Sequence, residues 1–322
     1  MKIGIMGAGG IARVMANTVN QMDDVTLYAI GSRTLDKAKK FAQEMKCEVA
    51  YGSYDELVKD DNIDLIYIAT PHSEHFANMK LAIDNNKAIL CEKSFTVNAK
   101  QAKEILVYAK KKNVFVAEAI WTRYMPSRFM IDEIIKSGKI GKVVSISANL
   151  GYLIQSYERI KKPELAGGAL LDVGVYTVNF ANMFAGNNIL EVNATCIKNE
   201  YGVDSQNSIT LKYSNNIMAT LHSNTLAVTD QMGLIYGTKG YIIAKNINNI
   251  TSIEIYSPER ELLNTLTVPA QINGYEHQVL ACKNAIEKGL LECDEMPHSD
   301  IINIMETMDR VREKLNIVYP FE

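Results

Sequence analysis

The chain has 322 residues, more than one hydrophobic core ordinarily supports, so two domains are expected. Hydrophobic residues make up 47% and charged residues 22%, the balance of a soluble globular protein. A formal net charge of -3 excludes a broad nucleic-acid footprint, and no apolar run reaches the length a bilayer needs.

In chain order, the first third alternates two periods. Short β-rich runs at Lys2–Met6, Val25–Ile30, Leu65–Ala69, Ala88–Cys91 and Val114–Glu118 are separated by stretches with helical spacing. In the first such stretch Ile11, Val14, Met15, Val19 and Met22 fall on one face. Another opens at Ser53 with Glu56 three residues later, a capping box, and residues 99–112 read as a lysine-rich amphipathic helix. This alternation predicts right-handed crossovers and a doubly wound parallel sheet. The glycine-punctuated start runs into a helix with Arg13 and has no small-residue cleavage pattern, so a secretory leader is rejected and the cytoplasm is expected.

After Pro126 comes one helix, closed by Ser137-Gly138, and then a strand-rich block near 142–150, 189–197, 207–213, 216–223, 231–236, 240–245 and 251–256. Ile209, Leu211 and Tyr213 alternate with Ser208, Thr210 and Lys212, which buries one face of a largely antiparallel sheet. Helices are predicted near 169–185, 275–288 and 299–314. The fold class is therefore α/β: an N-terminal Rossmann domain, 1–123, and a C-terminal α+β domain with an open sheet, 124–322.

Gly7-Ala8-Gly9-Gly10-Ile11-Ala12 fits G-x-G-x-x-A between the first strand and its helix. Gly7 permits the tight turn, Gly9 lets a pyrophosphate reach the backbone, and Ala12 allows close helix–strand packing. At the end of the second strand an NAD enzyme usually places Asp or Glu for the ribose hydroxyls. Here stand Gly31-Ser32-Arg33-Thr34 and then Lys37, which suit a 2′-phosphate. NADP is favoured over NAD, with Asp36 the residue the NAD alternative would use. Thr70-Pro71-His72-Ser73-Glu74-His75, Glu92-Lys93-Ser94 and the segment Glu118–Arg123 each follow a strand, so a parallel sheet gathers them along one edge beside the dinucleotide. His72 and His75 either contact the cofactor or satisfy a loop. Asp172 and Tyr176, four apart on a predicted helix, share a face, though each alone is more often structural.

These motifs resemble the glucose-fructose oxidoreductase / inositol dehydrogenase (Gfo/Idh/MocA) family. The resemblance is carried by Gly7–Ala12, by Glu92-Lys93-Ser94 and by Asp172-Val173-Gly174-Val175-Tyr176. Gly52–Leu57, Ala117–Tyr124, Gly167–Tyr176, Gly202-Val203-Asp204 and Gly237–Gly240 look closest to its dimeric dihydrodiol dehydrogenase / NADP-dependent D-xylose dehydrogenase branch. One departure is Ser94, where the family places a proline of the kind that supports a cis peptide.

The resemblance implies hydride transfer between NADP(H) and a hydroxyl or carbonyl carbon of a sugar, polyol or cyclic diol, with Lys93 and Tyr176 catalytic and Asp172 assisting. A tyrosine with pKa about 10 is a poor base, and a nearby ammonium would favour its phenolate. Which of the two moves the proton stays open. Cofactor contacts are expected at Gly7, Gly9, Gly10, Ile11, Ala12, Ser32, Arg33, Lys37, Thr70, Pro71, His72, His75, Glu92, Lys93, Trp121 and Arg123. Substrate contacts are expected at Trp121, Tyr152, Asp172 and Tyr176, under a loop at Tyr152–Glu164 with Gln155, Tyr157 and Arg159. Two alternatives are a dinucleotide-dependent glycoside hydrolase and a non-catalytic NADP-sensing relative.

No metal is expected: the histidines lack ligand spacing, and Cys47, Cys91, Cys196, Cys282 and Cys293 form no C-x-x-C pair. Beyond a small-molecule substrate, the expected partner is a second copy. The residues on the non-core sheet face are too mixed for simple exposure, which suggests a homodimer or a dimer of dimers.

Overall fold

The computed structural model describes residues 1–322. Six strands, β1 (Lys2–Met6), β2 (Thr26–Gly31), β3 (Val49–Tyr51), β4 (Leu65–Ile68), β5 (Ala88–Glu92) and β6 (Val116–Ala119), form a sheet of order β3-β2-β1-β4-β5-β6 with every pairing parallel. The helices between them are α1 (Gly10–Val19), α2 (Leu35–Met45), α3 (Tyr54–Val58), α4 (His75–Asp84) and α5 (Ala99–Lys112). All four residues of β4 are buried, as a strand covered on both faces requires. The strand order reverses between β1 and β4, and the chain leaves those two strands at Gly7 and Ala69.

The second sheet has eight strands: β7 (Val143–Gly151), β8 (Ile189–Lys198), β9 (Asp204–Tyr213), β10 (Met218–Asn224), β11 (Gly233–Gly237), β12 (Gly240–Lys245), β13 (Ser252–Tyr256) and β14 (Leu262–Thr267). Their order is β14-β13-β12-β11-β7-β10-β9-β8, antiparallel except where β7 lies parallel to β10. The period-2 alternation is realised as read: Ile209, Leu211 and Tyr213 are buried, while Ser208 and Lys212 are exposed. The helices here are α6 (Pro126–Lys136), the single turn α7 (Glu158–Lys161) and α8 (Val175–Ala185), which packs on β7 and β10, followed in the chain by α9 (Glu276–Glu287) and α10 (His298–Leu315).

Two strands escape the sequence patterning. β3 has only three residues, too few for a period to register, and β14 is an exposed edge whose LLNTLT sequence carries no alternation. Met22 lies beyond α1, which ends at Val19 with Asn20 as its C-cap.

The chain divides into two compact units, Met1–Trp121 with Gln271–Ile302, and Thr122–Ala270 with Asn303–Glu322. Residues 271–302, grouped by sequence with the second domain, pack in the first unit for identifiable reasons. The Val116 N–H of β6 donates to Leu291 O at 3.0 Å, and the His298 ring lies 2.9 Å from Val116 O. Asn273 donates to Thr18 Oγ1 at 2.9 Å.

Candidate active site

In the first unit, the turn after β1 is set by Gly7, whose φ of +104° and close approach to Ala69 O (2.9 Å from a built Cβ) leave no room for a side chain. Gly9 and Gly10 differ: a Cβ on either would meet nothing within 4 Å. No side chain caps α1, and no acidic residue sits in its first turn. An uncapped, acid-free helix start beside two open glycines, at the positive end of the helix dipole, is an arrangement suited to an anion. Ala12 is fully buried, against the helix–sheet contact.

At the end of β2, Ser32 is buried and its N–H donates to Tyr51 O at 3.1 Å, so the short β3 pins this turn. Arg33 and Lys37 are exposed. Asp36 lies in the first turn of α2, where its charge complements the helix dipole. Burial raises the pKa of the Tyr54 phenol, and the positive charge of nearby Arg33 opposes that rise. Tyr54 is thus a neighbour of the Arg33 site that motif reading missed.

The turns after β4 and β5 are tied to each other. His75 is fully enclosed, with Nδ1 2.9 Å from Ser94 O and Nε2 2.9 Å from Thr70 O. Burial lowers its pKa, outweighing the backbone hydrogen bonds at Thr70, Ser94 and Phe95 that favour the cation. His72 Nε2 lies 3.2 Å from Lys93 O, and Asn78 donates to Thr70 Oγ1 at 2.9 Å. Buried Glu92 accepts from the Tyr67 hydroxyl, and the Phe95 N–H donates to Glu118 Oε1 at 3.1 Å. Lys93 itself is half-buried, and its peptide bond to Ser94 is cis, the geometry the family's proline would have supported. Pro71 is exposed. Trp121 is buried and stacks on Tyr275, with ring centroids 4.0 Å apart and 14° between the planes. Nothing local in the sequence pairs these two rings, since they lie in segments brought together only by the fold.

In the second unit, Gly167 and Gly168 lead into one π-helical turn, Leu170–Gly174, which continues as α8. Asp172 sits in the π turn and Tyr176 in the first turn of α8; both are largely buried. Such wide turns recur at functional sites. Arg159, from α7, forms an ion pair with Asp172. Tyr152 accepts from Asn248 Nδ2 at 2.7 Å, and its pKa is raised by burial and by the charge of Asp172. Tyr152, Arg159 and Asp172 therefore form one cluster. Arg123 is 1% exposed and donates from Nε to Asn179 Oδ1 on α8 at 2.7 Å, so it braces that helix. No group of three His, Cys, Asp or Glu is placed to hold a metal ion, and no helix is long and apolar enough to cross a membrane.

Comparison with known proteins gives a consistent result. The family description "Oxidoreductase family, NAD-binding Rossmann fold" matches residues 1–119, and "GFO/IDH/MocA C-terminal domain" matches residues 130–243. The chain is 36% identical to the trans-1,2-dihydrobenzene-1,2-diol dehydrogenase of Xenopus tropicalis over 99% of both chains. It is 32% identical to the D-xylose 1-dehydrogenase (NADP(+)) of Hypocrea jecorina, over 99% of this chain and 93% of the other. Among solved structures, a 3-ketoreductase from Actinomadura kijaniata in complex with NADP and TDP-benzene superposes with a TM-score of 0.89 at 21% identity, over 98% of both chains.

Proposed function

This chain belongs to the GFO/IDH/MocA oxidoreductase family, and we propose that it oxidises or forms a CH–OH group on a diol or sugar using NADP(H), with Lys93 and Tyr176 as the acid–base pair. The observation that carries the reading is the uncapped, acid-free start of α1 behind two glycines with open Cβ positions, at the point where the strand order reverses. The chain's residues fit the nucleotide: Gly9, Gly10 and the first N–H groups of α1 would take the pyrophosphate. Ser32, Arg33 and Lys37 would take a 2′-phosphate, while Asp36 sits in the first turn of α2. When bound, NADP supplies the hydride acceptor.

The remaining chemistry falls to side chains. In oxidation the substrate hydroxyl must lose its proton, and in reduction the new alkoxide must gain one, at the same oxygen. Tyr176 offers a phenol and Lys93 an ammonium on a turn fixed by Glu92, Glu118, His72 and His75. Asp172 is already paired with Arg159, which suits an orienting role and a neutral substrate. Tyr152 and Trp121 would contact the substrate. The relatives' own substrates, a trans-dihydrodiol and D-xylose, are the first to try.

Five free cysteines, three of them buried, fit a reducing cytoplasm. The open sheet face carries Leu234, Tyr236, Tyr241, Ile243 and Tyr256, with Tyr241 and Tyr256 stacked at 4.9 Å. A sheet face this rich in aromatic side chains supports a two-fold dimer.

Cofactor choice tests the reading directly. NADPH should bind at least about tenfold more tightly than NADH, about 1.4 kcal/mol, and Arg33→Asp should narrow or invert the preference. Reduced-nicotinamide absorbance with trans-1,2-dihydrobenzene-1,2-diol and D-xylose reads turnover. Equal affinity for the two nucleotides would sink the NADP assignment.

A further inference from the structure

We propose that Asp204 and Tyr319 are positioning residues for the proposed acid–base helix: together they fix the entry of the Asp172/Tyr176 segment. The inference rests on the reading of Tyr176 given above and adds two residues to it.

The entry, Gly167–Leu170, donates backbone N–H groups to Lys162 O at 3.1 Å and Ile160 O at 2.9 Å, and it is held as well by two buried side chains from distant parts of the chain. Asp204, 1% exposed at the start of β9, accepts the Leu170 N–H at 2.8 Å and Asn207 Nδ2 at 2.7 Å through the same oxygen, Oδ2. Its other oxygen faces Gly168: a Cβ built there, at a φ of +113°, would collide with Oδ1. The glycine and the carboxylate are thus fitted to each other. Burial raises the pKa of Asp204, and the two donated hydrogen bonds oppose that rise.

The Tyr319 hydroxyl in turn donates to Gly167 O at 2.8 Å. Tyr319 is itself clamped. Arg312 reaches both carboxylate oxygens of Glu322 at 2.7 and 2.8 Å, its guanidinium lies 5.0 Å from the Tyr319 ring, and the Tyr319 N–H donates to Glu322 Oε2 at 3.1 Å. Gly167 completes the arrangement: a side chain there would strike Ile160 O at 2.6 Å, next to Arg159, the partner of Asp172. Gly167 and Gly168 are therefore gripped by β9, by the 316–322 segment and by α7 at once. Asp172, two residues after the anchored Leu170, inherits that position, and Tyr176 follows one turn later. A displacement of about 1 Å at a reacting group is enough to cost about a hundredfold in rate.

Tyr319→Phe tests this with the least disruption, because it removes one hydroxyl and keeps the ring in place. Hydrogen–deuterium exchange of peptides covering residues 167–176 should speed up by about tenfold, with exchange in residues 1–121 unchanged. In steady-state turnover with NADP and trans-1,2-dihydrobenzene-1,2-diol or D-xylose, kcat should fall by about tenfold to a hundredfold, while the Kd for NADPH stays as in the wild type. Asp204→Ala should do more than Tyr319→Phe, and Asp204→Asn, which keeps an acceptor for the Leu170 N–H, should recover part of the loss. Unchanged exchange in Tyr319→Phe would overturn the clamp. Faster exchange with wild-type kcat would overturn its positioning role. A Tyr176→Phe control with wild-type kcat would instead remove the underlying reading of Tyr176 and leave the exchange result to judge the clamp alone.

Discussion

At the residue scale, the proposed chemistry rests on two side chains. Lys93→Met and Tyr176→Phe should each lower turnover by about two to four orders of magnitude, the range for a positioned acid–base group, with NADPH binding retained by Tyr176→Phe. Stopped or steady-state absorbance measures the first and fluorescence titration the second; near-normal rates in both variants would mean the proton travels by another route. His75 has a pH signature. Its pKa is depressed in the folded chain by burial. Below about pH 6.5 the unfolded imidazole takes up a proton that the folded one resists, so stability is lost as pH falls through that value and is unaffected above it. The melting-temperature gap between the wild type and His75→Gln should therefore be widest near neutrality and shrink toward pH 5.5. The glycine fingerprint, Arg33 and the Lys93 turn were legible in the sequence because each follows a strand within a few residues. Tyr275, Tyr54 and Asn248 were not, because each meets its partner only through long-range packing.

At the element scale, the same distinction holds. The parallel sheet was readable because its strands are continuous apolar runs between helices, and the second sheet because most of its strands alternate. β3 and β14 carry neither pattern, being respectively too short and too exposed. The helix bearing Asp172 was read as a plain α-helix, whereas it opens with a π turn that no periodicity announces. Its glycines are testable. Gly168→Ala forces a left-handed φ on alanine and drives a methyl into Asp204, and should cost about 3 kcal/mol. Gly138→Ala, at a φ of +72° with nothing within 4 Å of the new methyl, should cost about 1 kcal/mol. Denaturant unfolding of the two variants should separate them clearly; equal midpoints would contradict the account of Gly168.

At the scale of the whole molecule, the proposed dimer predicts a mass of twice 35.9 kDa, or a multiple of it, by light scattering at micromolar concentration. Tyr241→Glu, which places a charge in the Tyr236–Tyr241–Tyr256 cluster, should shift the protein toward the single-chain mass. A wild-type mass of 35.9 kDa that persists on concentration would rule the dimer out. The unit boundaries carry a further consequence, this time for synthesis. A nascent chain emerges from its N-terminus, and a contiguous N-terminal domain can fold while the rest is still being made. Here the first unit needs residues 271–302, including the Leu291 carbonyl beside β6 and the Asn273 bond to Thr18. Begun first, it can be completed only after the whole sheet of the second unit has left the ribosome. Until then β6 offers a bare strand edge to whatever else is in the cell.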